Sequence, residues 1–130
     1  MAEGGCFCGT VRYRVEGEPI QSDYCHCRMC QRAGGAPVVA WGTWPVSQVT
    51  WLTTEPTSFA SSDKGRRSFC SSCGTPLAFM NPHEPDTIDL TLASLDDPTL
   101  FPPRAHIWTS SQVAWLDLGD DLPRHTNARA

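Results

Sequence analysis

Lysine is almost missing from this chain of 130 residues, which contains only Lys64. The formal net charge is −4 and no run of Lys or Arg is present, so the chain lacks the basic surface on which nucleic-acid binding depends. No apolar run reaches the ~20 residues of a membrane-spanning helix. The residues before Cys6 include neither the basic nor the apolar region of a signal peptide. We therefore expect a cytoplasmic protein without a nucleic-acid or membrane partner.

Stretches without proline or glycine are also short, because eleven prolines and ten glycines interrupt the chain. Long helices have little room under these conditions. Alternating apolar and polar residues predict strands instead, with one short helical turn expected after Cys27. The predicted strands are residues 11–15, 36–41, 49–54, 77–80, 88–92 and 104–108. The sequence therefore indicates a mainly β chain with little helix.

The length predicts one domain over residues 1–130. A domain of this size buries roughly two-thirds of its unfolded surface, and 40% of the residues are apolar, so a hydrophobic core is expected. No repeat, low-complexity tract or linker divides the chain. Residues 124–130 contain no apolar anchor, and we predict that they form a loose tail.

The cysteines set the class of protein. Their number is odd, at seven, and disulfides are rare in the reducing interior of a cell, so disulfides alone explain them poorly. Close spacing suits a metal ion better, because several thiolates must converge on one point. The three close groups are Cys6 and Cys8, then Cys25, Cys27 and Cys30, then Cys70 and Cys73.

Each outer pair is followed by a glycine, in Cys6-Phe-Cys8-Gly9 and Cys70-Ser-Ser-Cys73-Gly74. Sharp metal-binding turns often need a positive φ, which glycine adopts readily. Together the outer pairs supply four thiolates, which is the ligand set of a closed structural zinc site. The middle group then supplies three, which leaves a fourth position for water or substrate.

Spacing alone leaves two other arrangements open. In the first, Cys27 and Cys30 join the last pair as a zinc ribbon, although the spacer is longer than in usual ribbons. In the second, both sites are purely structural, and a histidine or another chain closes the three-thiolate site. His26 lies between two predicted ligands, so its side chain is expected to point away from the metal. His106 lies in an apolar strand and is expected to be a packed, hydrogen-bonded histidine.

Several stretches share an order with one known family: Gly5-Cys6-Phe-Cys8-Gly9, Cys25-His-Cys27-Arg-Met-Cys30, Arg67-Ser-Phe69-Cys70-Ser-Ser-Cys73-Gly74-Thr75, Ser94-Leu95-Asp96-Asp97-Pro98, His106-Ile107 and Trp115. In this order the chain resembles the glutathione-dependent formaldehyde-activating enzyme family, which also contains centromere protein V. The resemblance runs from about residue 5 to residue 123. Seven cysteines in order, with glycines in register, make it specific.

The resemblance implies a β-tent zinc-binding fold with antiparallel sheets and two zinc ions per chain. It also implies carbon–sulfur lyase chemistry, in which glutathione and formaldehyde form S-hydroxymethylglutathione. Carried over by motif, the ligands of the structural ion would be Cys6, Cys8, Cys70 and Cys73. Those of the catalytic ion would be Cys25, Cys27 and Cys30.

We therefore expect a zinc-dependent carbon–sulfur lyase that acts on adducts of a small thiol, such as glutathione, with a small aldehyde. Arg28, Arg32 and Arg67 are candidate substrate-binding residues, because arginine binds carboxylates bidentately and offsets the charge of a three-thiolate site. One alternative is a non-catalytic binding module of the same fold, stabilised by zinc. Another is a thiol-dependent redox or detoxification protein that acts on a different substrate.

Overall fold

The computed structural model describes residues 1–129. Within this range the chain forms ten strands, one α-helix and three 3₁₀ helices, which confirms the mainly β fold with little helix. The strands are β1 (Ala2–Gly5), β2 (Arg12–Val15), β3 (Gln21–Cys25), β4 (Val39–Pro45), β5 (Val49–Trp51), β6 (Thr57–Ser62), β7 (Gly65–Phe69), β8 (Pro76–Met80), β9 (Thr87–Thr91) and β10 (Ala105–Ile107). The helix α1 is Arg28–Gly34, and the 3₁₀ helices are Val46–Gln48, Leu92–Ser94 and Thr109–Ser111. No helix in the described part of the chain has the length and apolar character needed to cross a membrane.

The strands form two sheets. The smaller is antiparallel, with the order β1-β2-β5. The larger has the order β10-β3-β4-β9-β8-β7-β6. Its neighbouring strands are antiparallel, except that β10 at one edge runs parallel to β3. The prediction of antiparallel sheets therefore holds for every pair but this one.

The core contains large aromatic side chains from both sheets. Tyr13 of β2 and Trp44 of β4 are fully buried. A buried polar atom costs free energy unless it is hydrogen-bonded, and both residues meet this condition. The Tyr13 hydroxyl lies 2.7 Å from Ser94 Oγ, and the indole N–H of Trp44 donates to a backbone carbonyl. Cys6 and Cys70 belong to the same buried cluster, so the outer cysteine pairs are attached to the core.

Residues 124–129 make hydrogen bonds to β10 and to β3, in contrast to the loose tail predicted for residues 124–130. The backbone N–H of His125 donates to the carbonyl of His106 at 2.9 Å. The Arg129 guanidinium donates to the buried carboxylate of Asp23 at 2.7 Å. β10 is an edge strand, and an edge strand exposes unpaired backbone groups. Hydrogen bonds to these groups position the end of the chain, although it has no large apolar side chain to anchor it. The last residue of the chain lies outside the described range.

Gly42 of β4 provides a test of the core packing. A Cβ atom at this position would lie 2.6 Å from the Trp44 ring and 2.8 Å from Leu92 Cδ2. We expect Gly42→Ala to lower the free energy of unfolding by about 1–3 kcal/mol, because overpacking forces side chains out of their rotamers. Urea unfolding measures this. The control is Gly119→Ala, where a Cβ meets no atom within 4 Å, and equal midpoints for the two variants would contradict the packing.

Candidate metal centre

Four cysteines, here called the outer cluster, converge from two distant turns: Cys6, Cys8, Cys70 and Cys73. Their Sγ atoms all lie within 4.8 Å of one another. The Sγ atom of Cys8 lies 3.6 Å from that of Cys6 and 3.8 Å from that of Cys70. Tetrahedral zinc with Zn–S bonds of about 2.3 Å places its sulfur ligands about 3.8 Å apart. The outer cluster therefore has the donor set and the spacing of a closed zinc site.

Two turns of similar geometry build the outer cluster. Gly9 and Gly74 have φ values of +82° and +83°, which confirms the conformation predicted for both glycines. The Thr75 hydroxyl joins the turns, because it accepts a hydrogen bond from the Phe7 backbone N–H at 3.0 Å. The same hydroxyl, with the Thr75 backbone, lowers the pKa of Cys73 to about 5. The second turn therefore favours the thiolate form of Cys73, which is the form that metal binding requires.

The other three cysteines, here called the middle cluster, are Cys25, Cys27 and Cys30. Cys25 ends β3, Cys27 caps the N-terminus of α1, and Cys30 lies in the first helical turn. The Cys27 Sγ atom accepts a hydrogen bond from the Cys30 backbone N–H at 3.3 Å. All three Sγ atoms lie within 4.8 Å of one another, and no further Cys, His, Asp or Glu of residues 1–129 joins them. The zinc-ribbon arrangement is not found, because the last cysteine pair belongs to the outer cluster.

Charge is distributed unequally over the middle cluster. Hydrogen bonds from the thiols of Cys25 and Cys30 lower the pKa of Cys27 far below its ordinary value. The pKa of Cys25 is raised, because its proton is shared with Cys27 and Cys30 and because it is buried. One thiolate therefore forms easily, and further thiolates need a cation to offset their repulsion.

Arg67 of β7 supplies one such cation. Its side chain is buried, with 7% of the residue exposed, and its Nη2 atom lies 3.6 Å from Cys30 Sγ. The guanidinium carbon lies 5.1 Å from the centre of the Phe79 ring, which adds a cation–π contact. These contacts offset the cost of burying a charged group and hold a positive charge beside the thiols.

A cavity of about 620 Å³ opens beside the middle cluster, which is a usual size for a small-molecule site. The three thiols and Arg67 line one side of it. Its apolar lining residues are Met29, Trp41, Phe79, Ile107 and Trp108. Its other polar lining residues are Gln21, Asp23, Thr43, Ser62, Asp63, Lys64 and Asp89. The middle cluster therefore faces a space that can admit a ligand, while the outer cluster has a full set of four thiols.

Comparison with known proteins decides the family. The sequence profile of the glutathione-dependent formaldehyde-activating enzyme family matches residues 1–111. The chain belongs to this family. It is 27% identical over 127 residues to a Halomonas elongata protein provisionally named a glutathione-dependent formaldehyde-activating enzyme, a match that covers 91% of this chain and 81% of that protein. It shares its fold with a Rhodobacter sphaeroides protein of known crystal structure, with a TM-score of 0.63 and 22% identity over 94% of this chain and 98% of that one.

In this member of the formaldehyde-activating family, the three arginines predicted as substrate-binding residues lie in different places. Arg67 lines the cavity and contacts the middle cluster. Arg28 and Arg32 are exposed on α1 and are not part of the cavity lining. Arg28 donates instead to the side-chain oxygen of Gln31 at 2.6 Å. The geometry therefore leaves Arg67 as the one of the three that can act on a molecule in this cavity.

Both predicted roles for histidine agree with the geometry. His26 Nε2 lies 2.8 Å from His106 Nδ1, and His106 Nε2 lies 2.9 Å from Asp120 Oδ2. Because the Asp120 carboxylate accepts a hydrogen bond from the Nε2–H of His106, the Nδ1 atom of neutral His106 accepts a hydrogen bond from the Nε2–H of His26. The buried His26 side chain therefore points to β10. The hydrogen bonds from His26 to His106 and from His106 to Asp120 fix the position of the backbone between Cys25 and Cys27.

Trp108 and Asp89 line the cavity, and neither was predicted from the sequence to be a site residue. Trp108 has a φ of +56°, and no other non-glycine residue of the described chain has a positive φ. Such a backbone conformation is strained for a bulky residue, and here it accompanies an indole at the cavity wall. Asp89 of β9 faces the same cavity. It lies in an alternating strand, where a polar residue is ordinarily solvent-exposed.

The pKa of Asp89 is raised to about 6. Burial is the main cause, and the negative charges of Asp23 and Glu84 add to it. A hydrogen bond from the Thr43 hydroxyl and the positive charge of Arg67 act in the opposite direction without cancelling the effect. The folded protein therefore holds a proton on Asp89 more strongly than the unfolded chain does, and ionisation of this carboxyl destabilises the fold.

The free energy of unfolding of Asp89→Asn tests this balance. Between about pH 4 and pH 6 the wild type should lose stability as pH rises, since its folded state binds the extra proton. Above pH 6 we expect the variant to be more stable by about 2–3 kcal/mol, and below pH 4 the difference should vanish. Urea unfolding at several pH values measures it, with the exposed Asp63→Asn as control. A variant that is less stable than wild type at pH 8 would contradict the account.

Proposed function

We propose that the protein is a zinc-dependent carbon–sulfur lyase that acts on adducts of a thiol with an aldehyde, of the S-hydroxymethylglutathione type. Glutathione and formaldehyde are the substrates that the family name suggests. The observation that carries the proposal is a group of three convergent thiols that lines a cavity of about 620 Å³. A closed structural site needs four ligands, and the described chain brings only three side-chain ligands here.

The proposal includes two zinc ions per chain with different roles. Cys6, Cys8, Cys70 and Cys73 would hold a structural ion, and Cys25, Cys27 and Cys30 would hold a catalytic ion. When bound in the three-thiolate site, zinc supplies a positive centre that lowers the pKa of a substrate thiol. Soft thiolate ligands are the set that zinc and other thiophilic metals select.

Arg67 has an electrostatic role in this proposal. Three thiolates around a divalent ion leave one net negative charge, which would otherwise repel an approaching thiolate. The guanidinium near Cys30 offsets that charge and, being buried, is weakly screened by solvent. Trp41, Phe79 and Ile107 provide apolar walls of the cavity, which keep bulk water away from the reacting atoms and strengthen the electrostatic interactions there.

The reaction balances without an oxidant or a reductant. In the direction of synthesis, the substrate sulfur forms a bond to the carbonyl carbon, the C=O double bond becomes a hydroxyl group, and the proton lost from the thiol is replaced on the oxygen. In the lyase direction the carbon–sulfur bond breaks and its electron pair stays on sulfur, the carbonyl re-forms, and the proton lost from the hydroxyl is replaced on the released thiol. The cavity residues need only bind the thiol, orient the aldehyde and stabilise charge.

The variant Cys27→Ser separates the two zinc roles. Serine is a preferred N-cap residue, so α1 keeps its cap and the fold should survive. We expect zinc to fall from two ions per chain to one, and the exchange between glutathione, formaldehyde and their adduct, followed by NMR, to return to the uncatalysed rate. Cys73→Ser, also at a partly buried thiol, is the control. It should lose much of its folding stability, because structural zinc contributes on the order of 10 kcal/mol in small peptides.

Two outcomes would overturn the proposal. If the zinc-loaded wild type does not accelerate the exchange with any small thiol and aldehyde, the protein is a zinc-stabilised binding module and not an enzyme. If Cys27→Ser unfolds the protein as Cys73→Ser does, the middle cluster is structural.

A further inference from the structure

Four residues on neighbouring strands of the large sheet form one wall of the cavity: Thr43, Asp89, Phe79 and Arg67. In the large sheet, Asp89 of β9 lies directly opposite Thr43 of β4 on one side and Phe79 of β8 on the other. Phe79 in turn lies opposite Arg67 of β7. Side chains at directly opposed positions lie on one face of a sheet, and all four of these residues line the cavity. Asp89 therefore occupies the same wall as Arg67, two strands away.

Asp89 is the carboxylate of this wall that has no cationic partner. Its hydrogen-bond partner is the Thr43 hydroxyl, 2.5 Å from Oδ1, and no ion pair within residues 1–129 includes it. Arg67 lies against the thiol of Cys30 and the ring of Phe79. Asp23, a buried carboxylate that also lines the cavity, is paired with Arg129.

An unpaired, partly buried carboxylate costs free energy, and a cation from a ligand can offset that cost. We propose that Asp89 binds the ammonium group of an amine-bearing thiol whose sulfur reacts at the middle cluster. This inference rests on the proposed function and assigns the residue that recognises the amino group of its thiol substrate. The arrangement gives the cavity a positive end at Arg67 and a negative end at Asp89, so it distinguishes a zwitterionic thiol from a simple alkyl thiol.

The spacing of the sheet limits where the ammonium group can be. β9 is two strands from β3, which ends in Cys25, and two strands from β7, which carries Arg67. Adjacent strands lie about 4.8 Å apart, so these strands are separated by about 10 Å. The register also places Asp89 level with Gln21, at the opposite end of β3 from Cys25. The ammonium and thiol groups of the ligand must therefore be several bonds apart. A γ-glutamyl-linked cysteine, as in glutathione, meets this requirement better than cysteamine does.

Calorimetric binding of two thiols to the zinc-loaded protein tests the inference. The probes are glutathione and glutaryl-cysteinyl-glycine, which is the same molecule without the amino group. We expect wild type to bind glutathione about tenfold more tightly, a difference of about 1.4 kcal/mol. In Asp89→Asn the two thiols should bind with affinities within about twofold of each other. Asp63→Asn, at the exposed carboxylate of the same cavity, should keep the wild-type preference.

The result distinguishes this inference from the proposed function, because binding is measured without turnover. If wild type prefers the amine-bearing thiol but accelerates no exchange, the Asp89 site stands and the lyase proposal fails. If wild type catalyses the exchange and binds both thiols equally, or if Asp89→Asn keeps the preference, the Asp89 site is overturned. Failure of wild type to bind either thiol also overturns it.

Discussion

Sulfur atoms from two distant turns meet in the outer cluster, and the rest of the structure depends on this convergence. One pair of cysteines follows β1 of the small sheet, and the other follows β7 of the large sheet. All seven cysteines are free thiols, so no covalent bond joins the two turns. Thiolates this close repel one another unless a cation lies between them. A metal ion bound by these four thiolates would join the two turns and add to the contacts that the shared core makes between the sheets.

The middle cluster differs from the outer one in what surrounds it. Its thiols sit where β3 passes into α1, at the wall of a cavity instead of within the core. The sheet beneath then places Arg67 beside the thiols and Asp89 two strands farther along the same face. Burial raises the pKa of Asp89, so the ionised carboxyl of this residue lowers the stability of the fold. Under the proposed function, the outer cluster would hold a structural ion and the middle cluster would bind the thiol substrate.

The sequence predicted the features that depend on local chemistry. The structure contains the positive φ predicted for Gly9 and Gly74, the helical turn after Cys27 and the strands with clear alternation. The strands β1, β3, β6 and β7 were missed, because β1 is half glycine and the other three are rich in polar residues. Asp89 and the contact of Arg129 with Asp23 could not be predicted, because each depends on which strands become neighbours. The positive φ of Trp108 also could not be predicted, and it occurs where the Trp108 backbone N–H donates to the distant carbonyl of Asn127.

An open coordination position at the middle cluster is the central claim, and spectroscopy of the cobalt-substituted protein tests it most directly. Thiolate-to-cobalt absorption bands report the number of sulfur ligands around the metal, and cobalt takes the same tetrahedral sulfur sites as zinc. On addition of a small thiol, the account predicts a saturable change in these bands that arises from one of two bound ions. If the bands stay unchanged at every thiol concentration, the three-cysteine site is closed and the account is contradicted.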